Sequence, residues 1–231
     1  MKVIAILATL ATLVSACSTN DPATTVSVVS GLESTTVATA KGMMVQGGVA
    51  DVDEIKIVRM RVLVSRMLLH PSDRADGDSA NDKVVKTSPF VFVADSSGTR
   101  VIAQTDVPAG TYNKIKFEIH RFSSSEVPMY ISDTNFRDFV NDNRYTVIIE
   151  GALRRGTEWE AFTYRSKITK NIKLDVSPSL NVASGATTEL ALNIAPSTMF
   201  IDGSKLLDPS SEAVFSKIEN TIKDAFRAKK R

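Results

Sequence analysis

From Ile55 to Leu69 the chain reads IKIVRMRVLVSRMLL, and its side chains alternate. Val58, Met60, Val62 and Val64 fall in one phase, and Arg59, Arg61, Leu63 and Ser65 in the other. A period of two places alternate residues on opposite faces of a strand. Ile55 and Ile57 sit in the opposite phase to Val58, which predicts a bulge near Ile57–Val58. Phe90 to Val93 predicts a short strand, and Asp95-Ser96-Ser97-Gly98 a turn into Arg100 to Ala103. After a tight turn at Val107 to Tyr112, Ile115, Phe117 and Ile119 face one way while Lys114, Lys116, Glu118 and His120 face the other. Such a pattern marks a half-buried antiparallel strand. Phe136 to Val140 predicts one helical turn. Tyr145 to Leu153, Trp159 to Lys167, Ile168 to Val176 and Thr188 to Ile194 predict four further strands, punctuated by Arg154-Arg155-Gly156 and Ser184-Gly185.

Near the C-terminus the period changes. Val214, Phe215, Ile218, Ile222, Ala225 and Phe226 recur three and four residues apart, the spacing of an amphipathic helix. Asp208 suits its N-cap, Pro209 its first position, and the cationic end its dipole. Many short strands followed by one helix predict a mainly β chain: an antiparallel β-sandwich, Ig-like or transthyretin-like, with a C-terminal helix packed on it.

The beginning of the chain has another character. MKVIAILATLATLVSAC places Lys2 before an uncharged apolar stretch, Val3 to Leu13, and small residues before Cys17. The stretch is shorter than the roughly 20 residues of a membrane-spanning helix, so it reads as a cleaved signal. Leu13-Val14-Ser15-Ala16-Cys17 resembles the bacterial lipobox, which implies a diacylglycerol on the Cys17 thiol and cleavage before it. Cys17 is also the single cysteine, where a disulfide-bonded secreted protein would carry an even set. Two or three acyl chains, each CH₂ contributing about 0.8 kcal/mol on burial, anchor a protein stably. Ser18, where aspartate favours inner-membrane retention in enterobacterial lipoproteins, implies the outer membrane, on either its periplasmic or its surface face.

The expected organisation is therefore a signal over 1–16, a lipidated N-terminus and Ser/Thr-rich tether over 17–41, a sandwich over 42–207 and a helix over 208–231. Within the tether, Val26–Val29 and Thr35–Ala40 are strand candidates. Removing 16 residues from 231 leaves 215, enough for one domain. Without Lys2 the mature chain has 27 basic and 26 acidic side chains, short of the excess that nucleic-acid binding requires.

Several blocks together resemble a group of uncharacterised bacterial lipoproteins of the domain-of-unknown-function 4382 type. They are Val107 to Phe122 (VPAGTYNKIKFEIHRF), Arg144 to Gly151 (RYTVIIEG), Phe162 to Lys167 (FTYRSK) and Leu206 to Pro209 (LLDP) with the helix after it. The resemblance covers roughly Val49 to Lys230 and implies a lipoprotein with a sandwich domain. It implies no activity and carries over no functional residue.

Candidate chemistry is sparse. His70 and His120 belong to no metal or nucleophile pattern, and a mature chain whose one thiol is acylated offers no thiol catalysis. The loop with Asp73, Asp76, Asp78, Asn81 and Asp82 around Gly77 resembles a calcium loop but lacks EF-hand spacing and a terminal glutamate. These four aspartates are the candidate metal ligands, and a solvated hairpin loop is the simpler reading. Asp202-Gly203-Ser204 reads as a turn. Tyr145, Trp159, Phe162 and Tyr164 could line an aromatic platform for sugar rings, but Trp159 and Phe162 fall on opposite faces of a strand, so no single platform is implied and core packing is the expectation. Glu150, Glu158 and Glu160 lie close in sequence, and paired carboxylates can hydrolyse glycosides, but exposed strand positions beside a hairpin turn explain them without catalysis. Arg59, Arg61 and Arg66 would pair with acidic neighbours across strands, or show a cationic face to an anionic polymer. The expectation is a non-catalytic envelope lipoprotein without cofactor, held to the membrane through Cys17 and partnered by an envelope protein or polysaccharide. The alternative is a carbohydrate-binding or adhesive module, with or without calcium, and a carboxylate hydrolase ranks last.

Overall fold

A computed structural model describes residues 23–38, 52–72 and 85–231. Cys17 and the acidic loop residues Asp73, Asp76, Asp78 and Asp82 lie outside the described residues. In chain order the strands and helices begin with β1 (Thr25–Leu32), β2 (Thr36–Ala38), β3 (Glu54–Pro71), β4 (Val85–Lys86), β5 (Phe90–Asp95), β6 (Arg100–Asp106) and β7 (Gly110–Ile119). A short α1 (Val127–Tyr130) precedes β8 (Val147–Arg155), β9 (Glu158–Ser166), β10 (Lys170–Val182) and β11 (Thr187–Ile194). Then come α2 (Pro196–Phe200), β12 (Ile201–Asp202), β13 (Lys205–Leu206), α3 (Phe215–Ala225) and β14 (Phe226–Lys230). The chain is mainly β, with sheets antiparallel apart from one parallel pair (β1 with β11) and a C-terminal helix, as its sequence pattern predicts.

The larger sheet is organised on β3. Along one edge β3 pairs β8 through Glu54 to Val62 and β7 through Val64 to Pro71. Along the other it pairs β2, β5 and β4 in turn. An 18-residue strand is long enough to serve both sets. The register with β8 shifts between Ile57 and Arg59, so Val58 bulges out where the change of phase predicts it. Two residues join β8 to β9; Gly156, at φ +59°, supplies the left-handed conformation this turn needs. Pro178 has no N–H for a ladder and sits where β10 breaks register with β7, between Asp175 and Leu180.

The smaller sheet runs β14-β11-β1-β6. Here β1 is a central strand, buried from Val26 to Gly31, and it pairs β11 in parallel. The strand candidate at Val26–Val29 is thus part of the sandwich, and the span 17–41 is not a tether throughout. Ser27 and Ser30 are buried within it; the Ser30 hydroxyl donates to the Val93 carbonyl of β5, tying the two sheets together.

Phe226 of β14 inserts between the sheets, its ring 4.8 Å from Phe117 and 5.5 Å from Phe92 in edge contacts. Over β8 and β9 the inner face is covered by α3, with Phe215 edge-on to Tyr164 at 5.0 Å and Ile218, Ile222 and Ala225 buried. The helix is shorter than the expected 208–231. Asp208 does not cap it: its carboxylate accepts from the Ser210 amide and pairs with Arg155, fixing a turn seven residues ahead of α3. Phe226 leaves the helix because Phe226 to Lys230 pair β11 from Ile194 to Leu190, satisfying backbone groups that a longer helix would leave exposed on that edge.

The chain between β7 and β8 folds back over the outer face of the larger sheet. There Phe122, Phe136, Phe139 and Val140 bury Leu63 and Ile148 in a second, smaller core. Phe136 to Val140 is the single turn expected, with the Val140 amide donating to the Phe136 carbonyl.

Candidate functional site

The outer face of β3 and β5 forms the floor of an open groove of about 550 Å³. Its walls come from Arg100 to Ile102 of β6 and from Asp133 to Asp138 of the β7–β8 crossover. Four arginines line it (Arg59, Arg61, Arg100 and Arg137), interleaved with Asp133, Asp138 and Glu150.

Each position has a local cause. Arg59 and Arg61 share the phase of Leu63, so alternation sends all three outward; Leu63 is then roofed by the crossover and the arginines border its edge. In the crossover Phe136, Phe139 and Val140 point into the small core, which leaves Arg137 and Asp138 on the open side of the turn. Arg61, only 13 % exposed, pairs with Asp138 and, at 3.3 Å, with Glu150. Arg100 stands 3.8 Å from Asp95, whose carboxylate is already bonded to the Ser97 hydroxyl and amide. Arg59 and Arg137 are exposed and have no ion pair among the described residues.

The hydrogen bond from Arg61, reinforced by its charge, holds the Asp138 carboxyl below the ordinary aspartate range. Ser97 does the same for Asp95. At Asp208 burial works against ionisation, yet the Ser210 bonds and Arg155 outweigh it and the carboxyl is also lowered. A carboxyl lowered by folding stabilises the fold above its unfolded pKa of about 4, and that stability is lost as pH falls through the folded value. Asp138→Asn is therefore expected to unfold at slightly lower urea than the wild type at pH 7, and the gap should be smaller at pH 3. With the side chain 39 % exposed, the pH 7 difference should be no more than about 1 kcal/mol. Urea melts at the two pH values measure it.

The other candidates are dispersed. Arg66 pairs with Glu118 across β3 and β7, the cross-strand pairing expected of it. His120 is exposed, and its Nδ1–H donates to the Arg121 carbonyl at 2.6 Å; His70 lies in β3 opposite Lys114. Glu150 is on the groove face, whereas Glu158 and Glu160 share the phase of Phe162 and Tyr164 on the other. The three carboxylates thus do not converge. Phe162 and Tyr164 are buried, and burial, helped by the Glu219 charge, raises the Tyr164 hydroxyl well above its usual range. Trp159 is not in the core: at 47 % exposure it stands on the outer face opposite Arg154, whose guanidinium lies 6.0 Å from its ring. The smaller core over the outer face does not reach Trp159, so among the described residues nothing buries its ring. Tyr145 packs on the small core with Arg165 and Lys167 near its ring. Asp202-Gly203-Ser204 is the turn joining β12 to β13.

The groove itself was not foreseen. Arg100, Asp133 and Arg137 carry no motif; the local signals are the shared outward phase of Arg59 and Arg61 and the spacing of Phe136, Phe139 and Val140, which exposes the residues between them. No family, curated protein or solved structure matches the chain. The resemblance to the lipoprotein group thus rests on the sequence blocks that carry it.

Proposed function

We propose that this chain is a bacterial cell-envelope lipoprotein, anchored through acylated Cys17, whose sandwich domain binds a ligand without transforming it. The observation that carries the anchor is Leu13-Val14-Ser15-Ala16-Cys17 at the end of a short uncharged apolar stretch, in a chain with no other cysteine. The binding role is supported by the groove on β3 and β5. Its carboxylates Asp138 and Glu150 are held by Arg61 in ion pairs, an arrangement suited to recognition by fixed charges. The outer membrane is the expected address from Ser18. Flotation and sucrose-gradient separation of envelopes from cells expressing the native protein test this. The protein should follow an outer-membrane marker; recovery with soluble periplasmic or cytosolic proteins would refute the reading.

A further inference from the structure

We infer that the groove on the outer face of β3 and β5 is a binding site for an acidic polysaccharide, with sugar carboxylates received by Arg59 and Arg137. This deepens the binding role proposed above and rests on it.

Donor supply is the first argument. A guanidinium carries five N–H donors and no acceptor, so an exposed one without a close ion pair has donors to offer an acceptor-rich anion. Arg61 is committed to Asp138 and Glu150. Arg59 and Arg137 act by charge on Asp95 and Asp138 but have no ion pair within 4.0 Å among the described residues, and Arg100 meets Asp95 only at 3.8 Å. Three segments distant in sequence therefore bring under-used guanidinium groups to one cavity.

The carboxylates decide what kind of anion fits. Asp133, Asp138 and Glu150 line the same groove and would repel a ligand dense in phosphate, which offers acceptors alone. A uronic acid brings one carboxylate for an arginine and several hydroxyl donors for the aspartates and glutamate. Asn135 and Thr134 add neutral polar groups, and Val101, 53 % exposed, gives an apolar surface for a ring face. The volume, about 550 Å³, lies in the range of roughly 300–1,000 Å³ that holds drug-sized ligands, comparable to a short run of sugars.

The test is calorimetric titration of the detergent-solubilised, full-length lipoprotein with trigalacturonate, its fully methyl-esterified form, polyphosphate and a hexaglutamate peptide. Trigalacturonate should bind, and esterification should weaken it by at least about tenfold, the worth of one charge-assisted hydrogen bond. Arg59→Gln/Arg137→Gln should weaken it by at least as much with an unchanged melting temperature, since both side chains are exposed. No binding of trigalacturonate, binding indifferent to esterification or to the double substitution, or tighter binding of polyphosphate or hexaglutamate would each overturn the inference. Its failure is separable from failure of the anchor: a protein that floats with the outer membrane but ignores trigalacturonate refutes only the ligand.

Discussion

Gly151→Ala is expected to destabilise the fold by about 3 kcal/mol, although it adds a single methyl group. Gly151 lies opposite Ile57, at the last regular pair before the bulge at Val58. A β-carbon there would stand 2.3 Å from the Lys56 carbonyl oxygen and 2.8 and 2.9 Å from two Phe162 ring atoms. The ring could turn by a few tenths of an ångström. The carbonyl belongs to the backbone of β3, which is paired along both edges, and cannot move without its neighbours. Overpacking of this kind costs about 1–3 kcal/mol and sometimes more, and a backbone obstacle puts this site at the upper end. Urea denaturation should show a lower midpoint at unchanged slope. A midpoint equal to that of the wild type would mean that β3 and β8 separate at the bulge more easily than their pairing implies.

Phe226→Ala should be costlier still, about 3–5 kcal/mol, the usual range for emptying an aromatic site in a packed core. The ring is 1 % exposed and holds edge contacts with Phe92 of β5 and Phe117 of β7. Removing it leaves a void between the two sheets at the point where the smaller sheet rests on the larger. The loss should lower both the midpoint in urea and the melting temperature. A loss below about 1 kcal/mol would show that β14 is an appendage and that β1 and β11 hold the smaller sheet unaided.

That same residue shows why the sequence misleads at the C-terminus. Phe226 is four residues beyond Ile222, so it continues the helical stripe, and the pattern Phe-Arg-Ala-Lys-Lys is equally compatible with an alternating strand. The choice is made by the open edge of β11, which lies more than 30 residues back and leaves no mark on the local pattern. Asp208 is similar: as a cap it is a local signal, but Arg155, 53 residues away, claims its carboxylate. β1 was obscured differently, since serines and threonines surround Val26, Val28 and Val29 and the buried Ser27 and Ser30 imitate a soluble linker. By contrast β3, β7 and the β8–β9 hairpin were legible, bulge included, because each has one face against the core and one that admits charge. The groove could not be read because its walls lie at 59–61, 100–102 and 133–138. Nothing within any one of these segments encodes its distance from the others.

The proposed lipobox, in contrast, is a linear signal, and the proposed anchor rests on it. Cells expressing the wild type and Cys17→Ser should be grown with an alkyne analogue of palmitate, and the protein then isolated and coupled to a fluorophore. The wild type should carry the label and sediment with membranes, while Cys17→Ser should be unlabelled and recovered without a membrane anchor. Label on the Cys17→Ser protein, or none on the wild type, would contradict the lipoprotein assignment.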